Sequence, residues 1–334
     1  MKKFSQSLLV ILLALSLVFA FAACGNQESA ADEGAGEAAE GEAPELQMEI
    51  SQADWDSYRQ KIDLPTGITM AYVEMGTEDG DPLVLIHGMT DNSRAWSLIA
   101  PYFAEAGYHI YRVDLRGHGE TDKPNNGFYT TDDYSEDIAA FMDEKGIEKA
   151  DIIGHSLGSM TAQTFEFLYP EKCNHVVWES TAPVNADALG TYYYEYGVGL
   201  GADGTPDDAF MEEWYTNPNP VDEEFLKYEM EESQALPGAD WKCIAGGASF
   251  SNLDPYYASL DENIPTLILW GSEDGFFNED IQNAIKERVP FAKFIAYEGN
   301  GHNIQWEIPE QMAKDCIAFF NDEEIGSAEE EAEE

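Results

Sequence analysis

The sequence has few basic residues. Lys and Arg number 17 against 65 Asp and Glu, so the formal net charge is -48 at pH 7. Such a surface repels phosphates and cannot neutralise them, which excludes nucleic-acid binding. An anionic bilayer is repelled for the same reason, so attachment to a membrane has to be covalent or inserted. We interpret the acidic excess as a solvated surface, and a preference for cationic substrates is the alternative.

Cysteine is also scarce, with only Cys24, Cys173, Cys243 and Cys316 in the whole chain. Without Cys24 the number is odd, so at least one thiol is free unless pairing is intermolecular. One disulfide is allowed, but the sequence does not choose the pair. No cluster of His, Cys and Asp has the spacing of a metal site, so we expect the protein to bind no metal.

The apolar run near the N-terminus is too short for an ordinary membrane-spanning helix. Leu8–Ala23 has sixteen residues, whereas a span needs about 20. Lys2 and Lys3 precede this run, and small residues follow it. Because that is the pattern of an export signal, residues 1–23 are predicted to be a signal peptide.

The end of this segment, Phe21-Ala22-Ala23-Cys24, resembles the lipobox of bacterial lipoproteins. The resemblance implies that Cys24 is lipidated and becomes the mature N-terminus, although Phe21 stands where Leu is usual. An ordinary secretory signal and an uncleaved anchor are the alternatives. All three predict an exported protein, and the first predicts a lipid anchor on the outer face of a bacterial cell membrane.

Two acidic segments flank the part of the chain that is expected to fold. Residues 25–50 and 321–334 carry eight acidic residues each and no basic residue. The first segment is poor in large apolar residues, so it cannot bury enough surface to offset its ordering entropy. The predicted divisions are a signal peptide (1–23), a disordered tether (24–47), a first core segment (48–184), a helical cap (185–261), a second core segment (262–322) and an acidic tail (323–334).

Strand and helix patterns alternate along the core segments. Continuous apolar strands such as Pro82–Ile86 are typical of a sheet that is covered on both faces. The alternation predicts an α/β fold with a mostly parallel central sheet and helices on both faces, and the strand-free residues 185–261 are expected to lie over the carboxyl end of that sheet. We expect strands at 58–64, 68–75, 82–86, 108–113, 150–153, 175–178, 264–270 and 293–297, and helices at 93–106, 131–145, after Ser156, at 280–288 and at 309–320.

The chain is organised around Gly154-His155-Ser156-Leu157-Gly158, which stands between an apolar strand pattern and a helix pattern. This strand–turn–helix context is what a nucleophile elbow requires. Side chains at Gly154 and Gly158 would clash with the neighbouring strand and helix in so tight a turn. Ser156 is then held at the carboxyl end of the sheet and at the positive end of the helix, and is the predicted nucleophile.

A serine nucleophile needs a histidine base that is oriented by a carboxylate. In this architecture the chain order is Ser, then acid, then His. His302 follows the last predicted strand and is the expected base, whereas His175 comes too early in the chain. The acid should end the strand before it, where Asp274 is the better candidate and Glu273 the alternative.

An oxyanion hole needs two backbone N–H groups that point to one position. One should belong to Leu157, directly after the nucleophile, and the other to the loop after the third strand. That loop is His87-Gly88-Met89-Thr90, in which Met89 is the expected donor. A further loop, Asp114–Gly119, lacks the spacing of a phosphate or dinucleotide site, and we expect a structural turn pinned by Arg116 and Asp114.

Five short segments jointly form a specific pattern, although each is weak alone. They are Leu85-Ile86-His87-Gly88, Asp114-Leu115-Arg116-Gly117-His118-Gly119 with Asp122-Lys123-Pro124, Gly154-His155-Ser156-Leu157-Gly158, Gly271-Ser272-Glu273-Asp274 and Gly301-His302. Their order over about residues 55–320 resembles the α/β-hydrolase superfamily, in the branch of esterases, haloperoxidases and C–C hydrolases. The resemblance implies a triad of Ser156, Asp274 and His302 that needs no cofactor, and it makes residues 185–261 the cap domain of the fold.

Serine at the elbow indicates acyl transfer, because dehalogenases and epoxide hydrolases of this superfamily carry Asp there. We expect a carboxylic ester hydrolase for a small apolar or aromatic substrate, and the sequence does not specify an oligomeric state. The alternatives are a C–C hydrolase, a lactonase or an aminopeptidase with the same triad, and a non-catalytic surface protein that binds a ligand. Expected substrate-binding residues are His87, Tyr192, Tyr193, Trp214 and Tyr215, while Glu195, Glu212 and Glu213 would serve only a cationic group.

Overall fold

The computed structural model describes residues 46–184 and 188–325. The chain divides into two units, Met1–Glu42 and Ala43–Glu334, and every described residue belongs to the second. The predicted signal peptide, Cys24, nearly all of the tether and most of the acidic tail lie outside the described residues, so those assignments stay predictions. Within the described ranges, no helix is both long and apolar enough to cross a bilayer.

Eight strands form one sheet in the order β1-β2-β4-β3-β5-β6-β7-β8. The pairs β1–β2 and β2–β4 are antiparallel, and the other five are parallel. The prediction of a mostly parallel α/β sheet is therefore confirmed. The strands are β1 Arg59–Asp63, β2 Thr69–Gly76, β3 Pro82–Ile86, β4 His109–Val113, β5 Ala150–His155, β6 Cys173–Glu179, β7 Thr266–Gly271 and β8 Lys293–Tyr297.

Helices cover both faces of this sheet because alternate residues of each buried strand point to opposite sides. Val84 and Ile86 pack in one apolar cluster with α3 and α4, and Leu83 and Leu85 pack in the other with α2 and α11. The helices are α1 Trp55–Tyr58, α2 Ala100–Glu105, α3 Thr131–Glu144, α4 Leu157–Leu168, α5 Ala188–Leu200, α6 Asp208–Trp214, α7 Glu223–Gln234, α8 Gly238–Phe250, α9 Glu279–Arg288, α10 Ile304–Glu307 and α11 Pro309–Phe320.

The predicted helix over residues 93–106 is wrong as a single element. A 3₁₀-helix occupies Ser93–Trp96, and α2 begins only at Ala100. Pro101 lies in the first turn of α2, where its missing N–H costs nothing, whereas a helix continuing from Ser93 would need that donor. The N-cap is Asn92 rather than Ser93, since the Asn92 side chain accepts from the Arg94 N–H.

The inserted segment between β6 and β7 is helical where the structure describes it. Residues 188–261 contain α5 to α8 and a 3₁₀-helix at Asp254–Ser259, with no strand. We refer to these residues as the cap. Three cysteines are buried and free, namely Cys173, Cys243 and Cys316. None of them forms the disulfide that the sequence allowed.

Several carboxyl groups are buried in this fold. Glu166 on α4 is fully buried, and burial raises its pKa to about 8 from an ordinary 4.5. Burial also raises the pKa of Glu179 and of Glu229 well above the ordinary range. A carboxyl whose pKa is higher in the folded state binds a proton on folding. Its penalty is therefore absent below pH 4.5 and grows as the pH rises towards the folded-state pKa.

The protein is expected to be less stable at pH 8 than at pH 5.5, and Glu166→Gln should reduce that difference. The neutral amide cannot ionise, so one of the pH-dependent penalties disappears in the variant. The gap between the thermal midpoints at the two pH values should shrink by a few degrees. A change of about 1 kcal/mol in the free energy of unfolding shifts the midpoint of a large domain by about 2–4 °C. Thermal unfolding at constant ionic strength measures the gap. An unchanged gap in the variant would refute a contribution of Glu166 to the pH dependence of stability.

Candidate active site

Ser156 occupies a strained turn between β5 and α4. Its φ of 53° and ψ of -115° lie outside the regions that a serine ordinarily adopts. A Cβ on Gly154 would lie 2.1 Å from the Gly158 carbonyl oxygen, and one on Gly158 would lie 2.1 Å from that of Ile86. Only glycine therefore allows β3, β5 and α4 to approach so closely. Strain of this kind is typical of a nucleophile elbow.

The expected base and acid are in direct contact. His302 Nδ1 lies 2.9 Å from Asp274 Oδ2. The other carboxylate oxygen, Oδ1, accepts from the backbone N–H groups of Phe276 at 2.8 Å and Phe277 at 3.0 Å. Because a carboxylate only accepts, this contact favours the tautomer of neutral His302 with its proton on Nδ1, which leaves on Nε2 the lone pair that a general base needs.

Glu273, the alternative acid, and His175, the other histidine after Ser156, are not part of this pair. The Glu273 side chain is exposed, whereas Asp274 is buried. His175 lies on β6, and its Nδ1 is 2.8 Å from Asp151 Oδ1. The geometry thus selects Asp274 over Glu273 as the partner of His302.

The expected oxyanion donors, Met89 and Leu157, line the same cavity as Ser156 and His302. Leu157 is the first residue of α4, so its N–H has no partner within the helix. The N-terminal end of α4 also favours negative charge at this position. The His302 imidazole, the Ser156 hydroxyl and the two expected donor residues therefore border one space.

A family profile matches most of this chain. The sequence profile of a family described as alpha/beta hydrolase fold matches residues 81–309, which include Ser156, Asp274 and His302. The chain belongs to this family. It is an α/β-hydrolase enzyme.

Similar proteins with known names agree with that membership. Lipase 3 of Moraxella sp. (strain TA144) is 26% identical over 296 residues, or 82% of this chain and 87% of that protein. A putative 2-succinyl-6-hydroxy-2,4-cyclohexadiene-1-carboxylate synthase of Bacillus subtilis (strain 168) is 32% identical over 123 residues, or 36% of this chain and 44% of that relative. An esterase structure from Thermogutta terrifontis has a TM-score of 0.68 at 20% identity, covering 79% of this chain and 98% of its own, and shows the shared fold.

In this hydrolase a cavity of about 550 Å³ extends from Ser156 under the cap. Four of the five predicted substrate-binding residues, Tyr192, Tyr193, Trp214 and Tyr215, line it. Most of the wall is apolar or aromatic, which is typical of a small-molecule site. Met89, Ser156, Leu157 and His302 were also predicted site residues, whereas other lining residues were not, among them Asp91, His155, Met160, Phe276, Arg288 and Trp306.

His87 does not line the cavity, so its predicted role in substrate binding is wrong. It is fully buried, its Nδ1 contacts the Gly88 carbonyl oxygen at 2.7 Å, and its Nε2 accepts from the Leu115 N–H at 2.9 Å. Burial lowers the pKa of His87 to about 4. This neutral ring joins the loop after β3 to the loop after β4, which is a structural role.

The turn after β4 is held by Arg116 and Asp114, as expected. Arg116 donates to both carboxylate oxygens of Asp137 on α3, at 2.7 and 2.6 Å, and not to Asp114. Asp114 instead accepts from the backbone N–H groups of Ser93 at 2.7 Å and Glu120 at 2.9 Å. The turn is therefore structural, as expected, and Arg116 joins it to α3.

The acidic cap residues provide no cation site in the cavity. Glu195, Glu212 and Glu213 are exposed and absent from the lining. Asp91 is the carboxyl group that does line it, and burial raises the Asp91 pKa to about 7. Among the residues described, no three His, Cys, Asp or Glu side chains are grouped so that they could hold a metal ion.

Proposed function

We propose that this hydrolase cleaves carboxylic esters through an acyl-enzyme on Ser156. The observation that carries the proposal is the 2.9 Å contact between His302 Nδ1 and Asp274, in a cavity that His302 shares with Ser156. Each residue then has one role: Ser156 is the nucleophile, His302 the general base and acid, and Asp274 the group that orients His302 and stabilises its charged form.

The reaction has two halves. His302 Nε2 takes the Ser156 proton as Oγ attacks the ester carbonyl carbon, and the backbone N–H groups of Met89 and Leu157 bind the oxyanion. The intermediate collapses, the C–O bond to the alcohol breaks, and the alcohol leaves with the proton from His302. Water then attacks the acyl-enzyme with His302 as base, which releases the carboxylic acid and restores Ser156.

The cavity favours a small apolar or aromatic substrate. Tyr192, Tyr193 and Trp214 form an aromatic wall, and Met160 and Ile281 add aliphatic surface. Burying apolar substrate surface against such a wall stabilises the complex by roughly 25 cal/mol per Å². The similarity to Lipase 3 supports an ester as the bond that is cleaved.

A panel of three bond types tests the proposal. We expect p-nitrophenyl butyrate to have a kcat/KM at least about 100-fold above those of a γ-lactone and an aminoacyl p-nitroanilide. For the aminoacyl substrate the reason is that its ammonium loses much hydration in an apolar cavity, whereas an uncharged acyl chain loses little. Rates are measured by chromophore or acid release, with Ser156→Ala giving the background. A lactone or aminoacyl preference would overturn the ester assignment.

A further inference from the structure

Two consecutive cap residues bind two consecutive residues of the loop that carries Met89. Trp214, the last residue of α6, donates its indole N–H to Thr90 Oγ1 at 3.1 Å. Tyr215 donates its hydroxyl to Asp91 Oδ1 at 2.8 Å. Both acceptors belong to the loop after β3, which we call the oxyanion loop (residues 87–91). The cap therefore contacts the segment that supplies one of the two expected oxyanion donors.

The oxyanion loop does not hold its shape through ordinary backbone preferences. Thr90 has a φ of 73°, in the left-handed region that disfavours a β-branched residue. It is also almost fully buried, at 1% exposure. Such a conformation persists only where surrounding contacts over-determine it. The Trp214 indole is the side-chain donor to Thr90, directly after Met89.

The same two cap residues also pack against Phe276 and Trp306, which lie on the segments that carry Asp274 and His302. The Trp214 ring contacts Phe276 edge-on at 5.6 Å between centroids, and Phe276 lies 4.7 Å from the His302 ring. The Tyr215 ring stacks on Trp306 at 5.6 Å, and Trp306 donates to the Ala95 carbonyl oxygen at 2.8 Å. Trp214 and Tyr215 thus lie between two parts of the site. They are hydrogen-bonded to the oxyanion loop, and their rings pack against the segments that carry Asp274 and His302.

We propose that Trp214 and Tyr215 are positioning residues, which hold the oxyanion loop so that the Met89 N–H points at the developing oxyanion. The inference rests on the proposed acyl-transfer function and adds a role for the cap in catalysis as well as in substrate binding. The two hydrogen bonds fix Thr90 and Asp91, and the short chain between them and Met89 transmits that position to the donor. Misplacing such a donor weakens binding of the transition state and leaves binding of the neutral ester unaltered.

The first test removes one hydrogen bond at a time and keeps an aromatic side chain at each position. Trp214→Phe and Tyr215→Phe should each lower kcat for p-nitrophenyl butyrate by about tenfold, with KM changed less than about threefold. A purely structural or substrate-packing role would instead raise KM or lower the thermal midpoint. Tyr196→Phe is the matched control, because Tyr196 stacks on Phe210 within the cap and does not line the cavity; its kcat should equal that of the wild type.

The second test addresses the acceptor with isosteric substitutions. Thr90→Val keeps the shape and the β-branch but removes the oxygen, so kcat should fall about as far as in Trp214→Phe. Thr90→Ser retains the oxygen and should keep at least about half of the activity. The double variant Trp214→Phe with Thr90→Val should be no slower than either single variant, because both remove the same hydrogen bond.

The outcomes separate this inference from the function on which it rests. If the wild type hydrolyses the ester while Trp214→Phe, Tyr215→Phe and Thr90→Val all keep full kcat, the positioning role is refuted and the hydrolase stands. Additive losses in the double variant would also refute it, since they would indicate two independent effects. If the wild type fails to turn over any substrate of the panel, the proposed function itself fails.

Discussion

Replacing Ser156 by alanine is expected to lower kcat/KM for p-nitrophenyl butyrate by at least about 10⁴-fold, as losses of nucleophiles in triads do. The residual rate should be that of direct attack by water on the bound ester, assisted only by the oxyanion donors. The expectation follows from the elbow, where a strained φ of 53° presents the Ser156 side chain to the cavity.

The size of this effect requires a control for damage to the fold. Ser249→Ala is suitable, because the Ser249 hydroxyl bonds to the Ala245 carbonyl oxygen within its own helix and does not line the cavity. Its kcat/KM should stay within about twofold of the wild type. Comparable rates for the two serine variants would refute Ser156 as the nucleophile.

Asp274→Asn is expected to lower kcat by about 10³–10⁴-fold, because it reverses the tautomer of His302. Oδ1 of Asp274 accepts from the Phe276 and Phe277 N–H groups, so the amide oxygen of the variant should take that position. The amide NH₂ would then face His302 Nδ1 and donate to it. His302 would carry its proton on Nε2, where the base needs a lone pair.

Glu273→Gln is the matched control for this prediction. It removes one carboxylate charge from the adjacent position, but the Glu273 side chain is exposed and His302 contacts Asp274 instead. The rate of the control should stay within about twofold of the wild type at moderate salt, where exposed charges are screened. If Glu273→Gln were the slower variant, the two acids would have been assigned the wrong way round.

Much of the core could be predicted because the sequence patterns that indicate it span only a few neighbouring residues. Runs such as Pro82–Ile86 are continuous and apolar, which marks buried parallel strands before any partner is known. The elbow is also local, because two glycines and a serine within five residues set the approach of β3, β5 and α4. Chain order then placed His302 and Asp274 at the same edge of the sheet.

The features that were missed depend on contacts between distant parts of the chain. His87 is predicted to bind substrate, but its ring is buried and accepts from the Leu115 N–H. Arg116 is expected to pin the turn after β4, but the sequence does not predict that its bidentate partner is Asp137 on α3. The hydrogen bonds from Trp214 and Tyr215 to the oxyanion loop likewise join residues 124 positions apart. No periodicity or spacing in the sequence encodes such pairs.

The most direct test of the central claim is covalent labelling by a fluorophosphonate, which reacts with an activated serine. The purified protein is incubated with the probe, its intact mass is measured, and the modified residue is located by peptide mass spectrometry. One adduct per chain on Ser156, with activity lost in proportion and no adduct in Ser156→Ala, is the predicted result. An active protein that takes up no probe, or takes it up on another residue while Ser156 stays unmodified, would contradict the account.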